Sequence, residues 1–234
     1  MRVNPRTRLQ IAMSMTRTYA IGDIHGLLGK VRRLIARCQH DARGQPLRFV
    51  FLGDYIDRGP DSRAVVEHMM ELEAHLGDDA VFLKGNHEDM ALAASESSVN
   101  AGMWLFNGGD ATLTSYGVTS ARELPEQHLN WFRSLRLTFD DGRRFFVHAG
   151  VDAARPLDAQ HEHDLLWIRE PFLSAARDYG RLVVHGHTPR PDGRPDLRPN
   201  RLNIDTGAVF GGALTAAIFD GGTTNPIGFI QVDD

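Results

Sequence analysis

Thr18-Tyr19-Ala20-Ile21-Gly22-Asp23-Ile24-His25-Gly26 passes from a β-rich apolar run into two polar side chains held between glycines. Beyond it, Leu27, Leu28, Val31, Leu34 and Ile35 recur at helical spacing, so the segment reads as strand, loop, helix. The unit recurs. Leu47-Arg48-Phe49-Val50-Phe51-Leu52 ends at Gly53, and Val65, Val66, Met69, Met70 and Leu72 form a helical stripe opened by Gly59-Pro60-Asp61-Ser62. A third run, Ala80-Val81-Phe82-Leu83, breaks at Gly85. Strands this apolar, alternating with helices, predict an α/β fold with a parallel sheet covered on both faces. Ligands of such sheets gather at the carboxyl ends of the strands. Three polar strings fall there: Gly22-Asp23-Ile24-His25-Gly26, Gly53-Asp54-Tyr55-Ile56-Asp57-Arg58-Gly59 and Gly85-Asn86-His87-Glu88.

From Glu88 to about Leu137 helical segments replace strands, at 90–94 and 125–135, with Gly108-Gly109 as a break, and this reads as an insertion flanking the site. Strand character returns at 137–139, turns at Asp141-Gly142 and continues over 143–148 as a hairpin. Runs at 181–184, 201–204, 213–219 and 227–232 have no long helices between them and predict a second, more antiparallel sheet. Residues 1–16 read as a tail prone to disorder, and 17–234 as a single domain.

With 42% hydrophobic and 24% charged residues and a formal charge of -4, the 234-residue chain has no electrostatic footprint for nucleic acid. No window is apolar enough to span a bilayer, and the first residues do not form a secretory leader. The lone Cys38 sits in an apolar-periodic stretch and is expected to pack. The expectation is a cytoplasmic protein without disulfides.

Asp23 and His25 alternate so that both can converge on one divalent ion, and Asp54 is the natural bridge to a second. Asn86 adds an amide oxygen, and His148 in His148-Ala149-Gly150 and His187 in His185-Gly186-His187-Thr188 add imidazoles. Nitrogen and oxygen donors without thiolate favour Mn, Fe or Zn over Ca. Two metals about 3.5–4 Å apart can activate a bridging hydroxide and neutralise both sides of an in-line displacement at phosphorus, so the pattern points to phosphate-ester hydrolysis.

The ordered set GDIHG, GDYIDRG, GNHE, HAG and HGHT resembles the PPP family of metal-dependent serine/threonine protein phosphatases, within the metallophosphoesterase superfamily. The short chain, with Trp104-Leu105-Phe106-Asn107-Gly108-Gly109, Leu166-Trp167-Ile168-Arg169-Glu170 and Ile204-Asp205-Thr206-Gly207-Ala208, is similar to its bacterial and bacteriophage branch. The resemblance implies a four-layer α/β/β/α sandwich and two divalent metals, with Mn favoured. It assigns Asp23, His25 and Asp54 to the first metal, and Asp54, Asn86, His148 and His187 to the second. It implies His87 as general acid oriented by Asp57, Arg58 and Arg169 as phosphoryl grips, and a phosphorylated protein as substrate. A rival is a symmetrical dinucleoside tetraphosphate hydrolase, which departs at the histidine of the first string and the aspartate of the second; here His25 and Asp57 are kept. Other rivals are a nucleotidase or phosphodiesterase, and a catalytically silent module that binds a phosphorylated partner.

Plainer readings compete at several positions. Strand-end polar residues can be mere caps, Arg58 a surface residue, and Arg169 an ion-pair partner of Glu170. His161 and His163 are expected to be solvated, His68 and His75 on the surface, the three tryptophans in the core, and residues 190–200 a hairpin connection. Oligomeric state is not legible.

Overall fold

In the computed structural model the described residues are 16–233; the tail expected at 1–16 lies, Thr16 apart, outside them. β1 (Arg17–Ile21), β2 (Leu47–Phe51) and β3 (Ala80–Phe82) pair in parallel, with Tyr19 opposite Phe49 and Phe49 opposite Ala80. The crossovers are α1 (Leu28–Ala42), which buries Val31, Leu34, Ile35 and Cys38, and α2 (Ser62–Leu76), which buries Val65, Val66 and Met69. The apolar stripes of the sequence are thus the faces turned to the sheet.

The second sheet contains β4 (Thr138–Asp140), β5 (Arg144–Val147), β6 (Leu182–His185), β7 (Asp196–Leu197) and β8 (Arg201–Asn203), in the order β4-β5-β6-β8-β7. The expectation of a second, more antiparallel sheet formed by all the later strands needs correction. Its centre is parallel, β5 to β6 to β8, because residues 148–181 are long enough to cross over without a long helix. Only the edges, β4 on β5 and β7 on β8, are antiparallel. The last two strands, β9 (Leu214–Phe219) and β10 (Gly228–Val232), join the first sheet instead, giving β10-β9-β1-β2-β3. β9 there satisfies the backbone edge that β1 would otherwise expose.

Alternation along the strands divides the core. Tyr19, Phe49, Phe51 and Phe82 face the helices, whereas Ala20, Val50, Leu52 and Val81 face Phe146, Leu182, Val184 and Leu202 of the second sheet. Outside that sheet, Phe145, Val147 and Val183 are covered by Leu165 and Phe172. This outer layer is thin, its helix being the short α7 (Glu162–Trp167). The architecture is a two-sheet α/β sandwich, with helices outside the first sheet and a thin layer outside the second, in keeping with the four-layer arrangement expected.

The insertion is helical as expected: α3 (Asn86–Glu96), α4 (Ser98–Trp104), a π-helical turn Leu105–Gly109, α5 (Asp110–Tyr116) and α6 (Glu126–Ser134). The break expected at Gly108-Gly109 is a kink within this run, with Gly108 at φ 100°. Trp104 and Trp131 are core, Cys38 is buried, His161 and His163 are exposed, and residues 190–200 contain the β7 arm of a hairpin. No helix among the described residues is long and apolar enough to cross a membrane.

Candidate active site

Asp23 and His25 follow β1, Asp54, Asp57 and Arg58 follow β2, and Asn86 and His87 open α3 just beyond β3. From the second sheet, His148 follows β5 and His187 follows β6. All nine thus lie at strand carboxyl ends, and all but Arg58 are buried. Among the described residues, six non-glycines have positive φ, and five of them are His25, Asp54, Asp57, Arg58 and His187. Backbone strain concentrated this way marks a site that surrounding contacts hold in place. Plain caps and turns need no such strain.

Each imidazole is oriented by its other nitrogen. His25 Nδ1 donates to the Ile56 carbonyl at 2.8 Å, which leaves Nε2 as a lone pair 3.5 Å from Asp54 Oδ2. His148 Nδ1 donates to the Leu52 carbonyl at 2.8 Å, and its Nε2 faces Asn86 Oδ1 at 2.9 Å and Asp54 Oδ1 at 3.4 Å. His187 Nδ1 lies 2.9 Å from the same Asn86 oxygen, and its Nε2 is buried without a hydrogen-bond partner. Burial pushes His25 down to about 3 and His187 to about 2, so both are neutral donors. Burial alone would raise Asp54, but in acid, where the surrounding rings of His148, His87, His25 and His187 take up protons, their charge outweighs it and holds this carboxyl below the usual range.

Donor atoms of His25, Asp54 and His87 lie within 4.8 Å of one another, as do those of Asp54, His148 and His187, and Asp54 belongs to both groups. Lone pairs of nitrogen and oxygen converging this closely are stabilised by a cation between them. The absence of thiolate fits a divalent first-row ion. Asp23 is placed slightly apart: its carboxylate accepts from the His187 backbone N–H at 3.1 Å, and burial, Asp205 and Asp54 raise its pKa.

His87 Nδ1 donates to Asp57 Oδ2 at 2.6 Å, so Nε2 points inward, 3.9 Å from Asp54 Oδ2. Asp57 also accepts from Trp104 Nε1 at 2.9 Å and from Thr112 Oγ1 at 2.6 Å. Sequence reasoning missed these two supports. Trp104 is core, as expected, but its one polar atom serves the site. Glu88 was also missed; its carboxylate accepts from the N–H groups of Asp54, Tyr55 and Gly85 at 3.0, 2.8 and 2.9 Å and so ties two strand-end loops together. Its place at the end of the third polar string was the available signal.

Arg58 donates its backbone N–H to Gly108 O at 3.0 Å, and its Nη1 reaches His25 Nε2. Arg169 is exposed beyond α7, and its charge is among the influences that lower the pKa of His187. No ion pair joins it to Glu170 among the described residues; Glu170 accepts from Ser174 Oγ instead. His185 is buried against Phe172 and belongs to neither cluster. Glycine is required where backbones crowd the ligands: a Cβ on Gly85 would lie 2.1 Å from Asp54 Oδ1.

The calcineurin-like phosphoesterase family matches residues 16–212. A serine/threonine-protein phosphatase 1 of Salmonella typhimurium is 33% identical over 217 residues, 88% of this chain and 93% of that one. An asymmetrical bis(5'-nucleosyl)-tetraphosphatase of Bacillus thuringiensis is 28% identical over 84% of this chain and 87% of its own. Among solved structures, a cold-active protein-tyrosine phosphatase of a psychrophilic Shewanella superposes with a TM-score of 0.63 at 17% identity, covering 94% of this chain and 81% of that one, a likeness of fold alone. The strand-end loops, the two clusters that share Asp54 and a family match across most of the sequence agree: the chain belongs to the calcineurin-like phosphoesterases, metal-dependent hydrolases of phosphate esters.

Proposed function

We propose that this phosphoesterase is a protein serine/threonine phosphatase, releasing inorganic phosphate from phosphoserine and phosphothreonine. The observation that carries the reading is the buried His87, fixed through Nδ1 on Asp57 with Nε2 turned to the metal-ligand centre. An alkoxide leaves poorly, and a positioned acid that protonates it contributes about 10²–10⁴ in rate. Asp23, His25 and Asp54 would hold one ion, and Asp54, Asn86, His148 and His187 the other, with Mn the favoured metal. When bound, the ions supply Lewis-acid charge to the phosphoryl group and lower the pKa of water. Arg58 and Arg169 would grip phosphoryl oxygens, a task suited to planar forks of donors. The 33% identity with a serine/threonine-protein phosphatase supports the same reading.

The tetraphosphatase similarity supports a second reading, hydrolysis of dinucleoside polyphosphates by the same centre. Mn-loaded protein offered phosphoserine peptides, p-nitrophenyl phosphate, bis-p-nitrophenyl phosphate and diadenosine tetraphosphate separates the two. Phosphopeptide hydrolysis abolished by chelation is expected. Cleavage of diadenosine tetraphosphate or the diester with no action on phosphopeptides reverses the order.

A further inference from the structure

Arg58 is fixed at its backbone, and its guanidinium is met by a ring that the core does not use. The residue sits at φ 68° and donates its N–H to Gly108 O at 3.0 Å, so the side chain leaves from a held point. Its guanidinium carbon lies 5.4 Å from the centre of the Phe210 ring, within the range in which an aromatic face attracts a cation. Phe210 closes the 3-10 turn Ala208–Phe210, and that turn is fastened on both sides. The N–H groups of Phe210 and Gly212 donate to Gly207 O at 2.9 and 3.0 Å, and Lys30 of α1 donates through Nζ to Ala208 O and Gly212 O at 3.1 and 2.9 Å. Gly212 packs where a Cβ would lie 2.1 Å from Thr206 O. A buried ammonium and a crowded glycine therefore brace a turn whose one large side chain is 64% exposed.

We infer that Phe210 is a positioning residue for Arg58, its ring holding the guanidinium where it meets a phosphoryl oxygen. This rests on the reading of Arg58 as a phosphoryl grip and is independent of whether the ester belongs to a protein or a nucleotide. The other contact of the guanidinium shows what the ring supplies. Nη1 of Arg58 reaches His25 Nε2, whose lone pair also faces Asp54 Oδ2 in the first group of metal-ligand atoms. An imidazole that donates through Nδ1 has one lone pair left, and it can serve a guanidinium or a metal ion, not both. The ring is a partner without that conflict, because it holds a cation by its face and gives up no ligand atom. Charge also draws Arg58 towards Asp23 and Asp205, whose carboxylates it helps to keep ionised. A long side chain among several anions has several resting places, and a ring on a braced turn selects one of them.

The test uses the Mn-loaded full chain, with p-nitrophenyl phosphate as substrate and inorganic phosphate as the binding probe in titration calorimetry. Phe210→Leu keeps an apolar side chain but removes the ring. It should raise KM and the phosphate Kd about two- to fivefold, as the loss of such an attraction at an exposed site predicts, with kcat changed by less than about twofold. Phe210→Tyr restores the ring and should behave as the parent. The side chain is solvent-facing, so neither change opens the core. In an Arg58→Gln background, where no cation faces the ring, Phe210→Leu should raise KM no further; coupling of this kind separates action through Arg58 from a general effect on the turn. Unchanged KM and Kd in Phe210→Leu, an equal loss in Phe210→Tyr, or the same loss repeated in the Arg58→Gln background overturns the positioning role and leaves Arg58 as the grip. Parent values of KM and phosphate Kd in Arg58→Gln alone sink the grip reading, and this role with it.

Discussion

His87 owes its direction to Asp57, and Asp57 owes its own to Trp104 and Thr112. Replacing His87 with Asn should therefore lower kcat on phosphoserine peptides by about 10²–10⁴ and affect p-nitrophenyl phosphate far less, because nitrophenolate leaves without a proton. Equal losses on both substrates would remove the acid role. Trp104→Phe keeps the ring in the core but deletes the N–H that Asp57 accepts, at a cost of about 1.5–3 kcal/mol for a bond to a charged group. The expected result is at least a tenfold fall on phosphoserine peptides, with a smaller fall on the nitrophenyl ester. Cys38 shows the same dependence on surroundings in a bland setting. Burial pushes its thiol up to about 12, so native protein should resist DTNB at pH 8 and react at its unfolding rate. An unfolded thiol ionises near pH 8.5, so this group's contribution to stability is present below that value and is lost as pH climbs towards 12. Fast labelling of native protein at pH 8 would contradict the burial.

At the scale of elements, the sequence read well wherever one apolar period faced one partner. α1, α2 and β1 to β3 follow the stripes and runs that announced them, and the polar strings fall at the strand ends as the parallel sheet requires. Pairing between distant strands was less legible. β9 is buried along its whole length and, Thr215 apart, apolar, as a strand covered on both faces is, and nothing in that pattern says which sheet it completes. Positive φ at His25, Asp54 and Asp57 was equally invisible, since strain arises from tertiary contact rather than local preference. The kink at Gly108 joins the two kinds of information. Glycine there was readable as a break, but its service to Arg58 was not: a Cβ on Gly108 would meet Arg58 Cγ at 2.8 Å, at a φ of 100° that side chains avoid. Gly108→Ala should cost about 1–3 kcal/mol in strain and shift Arg58. Raised KM for phosphopeptides together with a Tm lower by a few degrees is the expected signature. An unchanged KM would detach this turn from substrate binding.

Across the whole molecule, the proposed metal centre is where the two sheets meet in polar rather than apolar contact. Asp23, His25, Asp54 and Asn86 come from the ends of the first sheet, His148 and His187 from those of the second. Between the sheets the strands are joined by aliphatic and aromatic side chains; at the carboxyl ends they are joined by imidazoles and carboxylates, which repel or lose hydration unless a cation lies among them. Metal binding should therefore stabilise the sandwich as well as enable chemistry. A ligand at 100 times its Kd adds about 2.7 kcal/mol, and for a chain of this length each kcal/mol moves Tm by about 2–4 °C, so one ion predicts a rise of roughly 5–10 °C. Calorimetry of chelator-treated protein against protein titrated with Mn measures it directly. Asp54→Asn, which weakens the carboxylate that belongs to both groups, should flatten the response while the chelated baseline holds or rises, since a buried charge has been removed. A Tm indifferent to Mn in the parent protein would mean that the sheets close without the ions, and that the converging lone pairs at Asn86 and Asp54 are relieved in some other way.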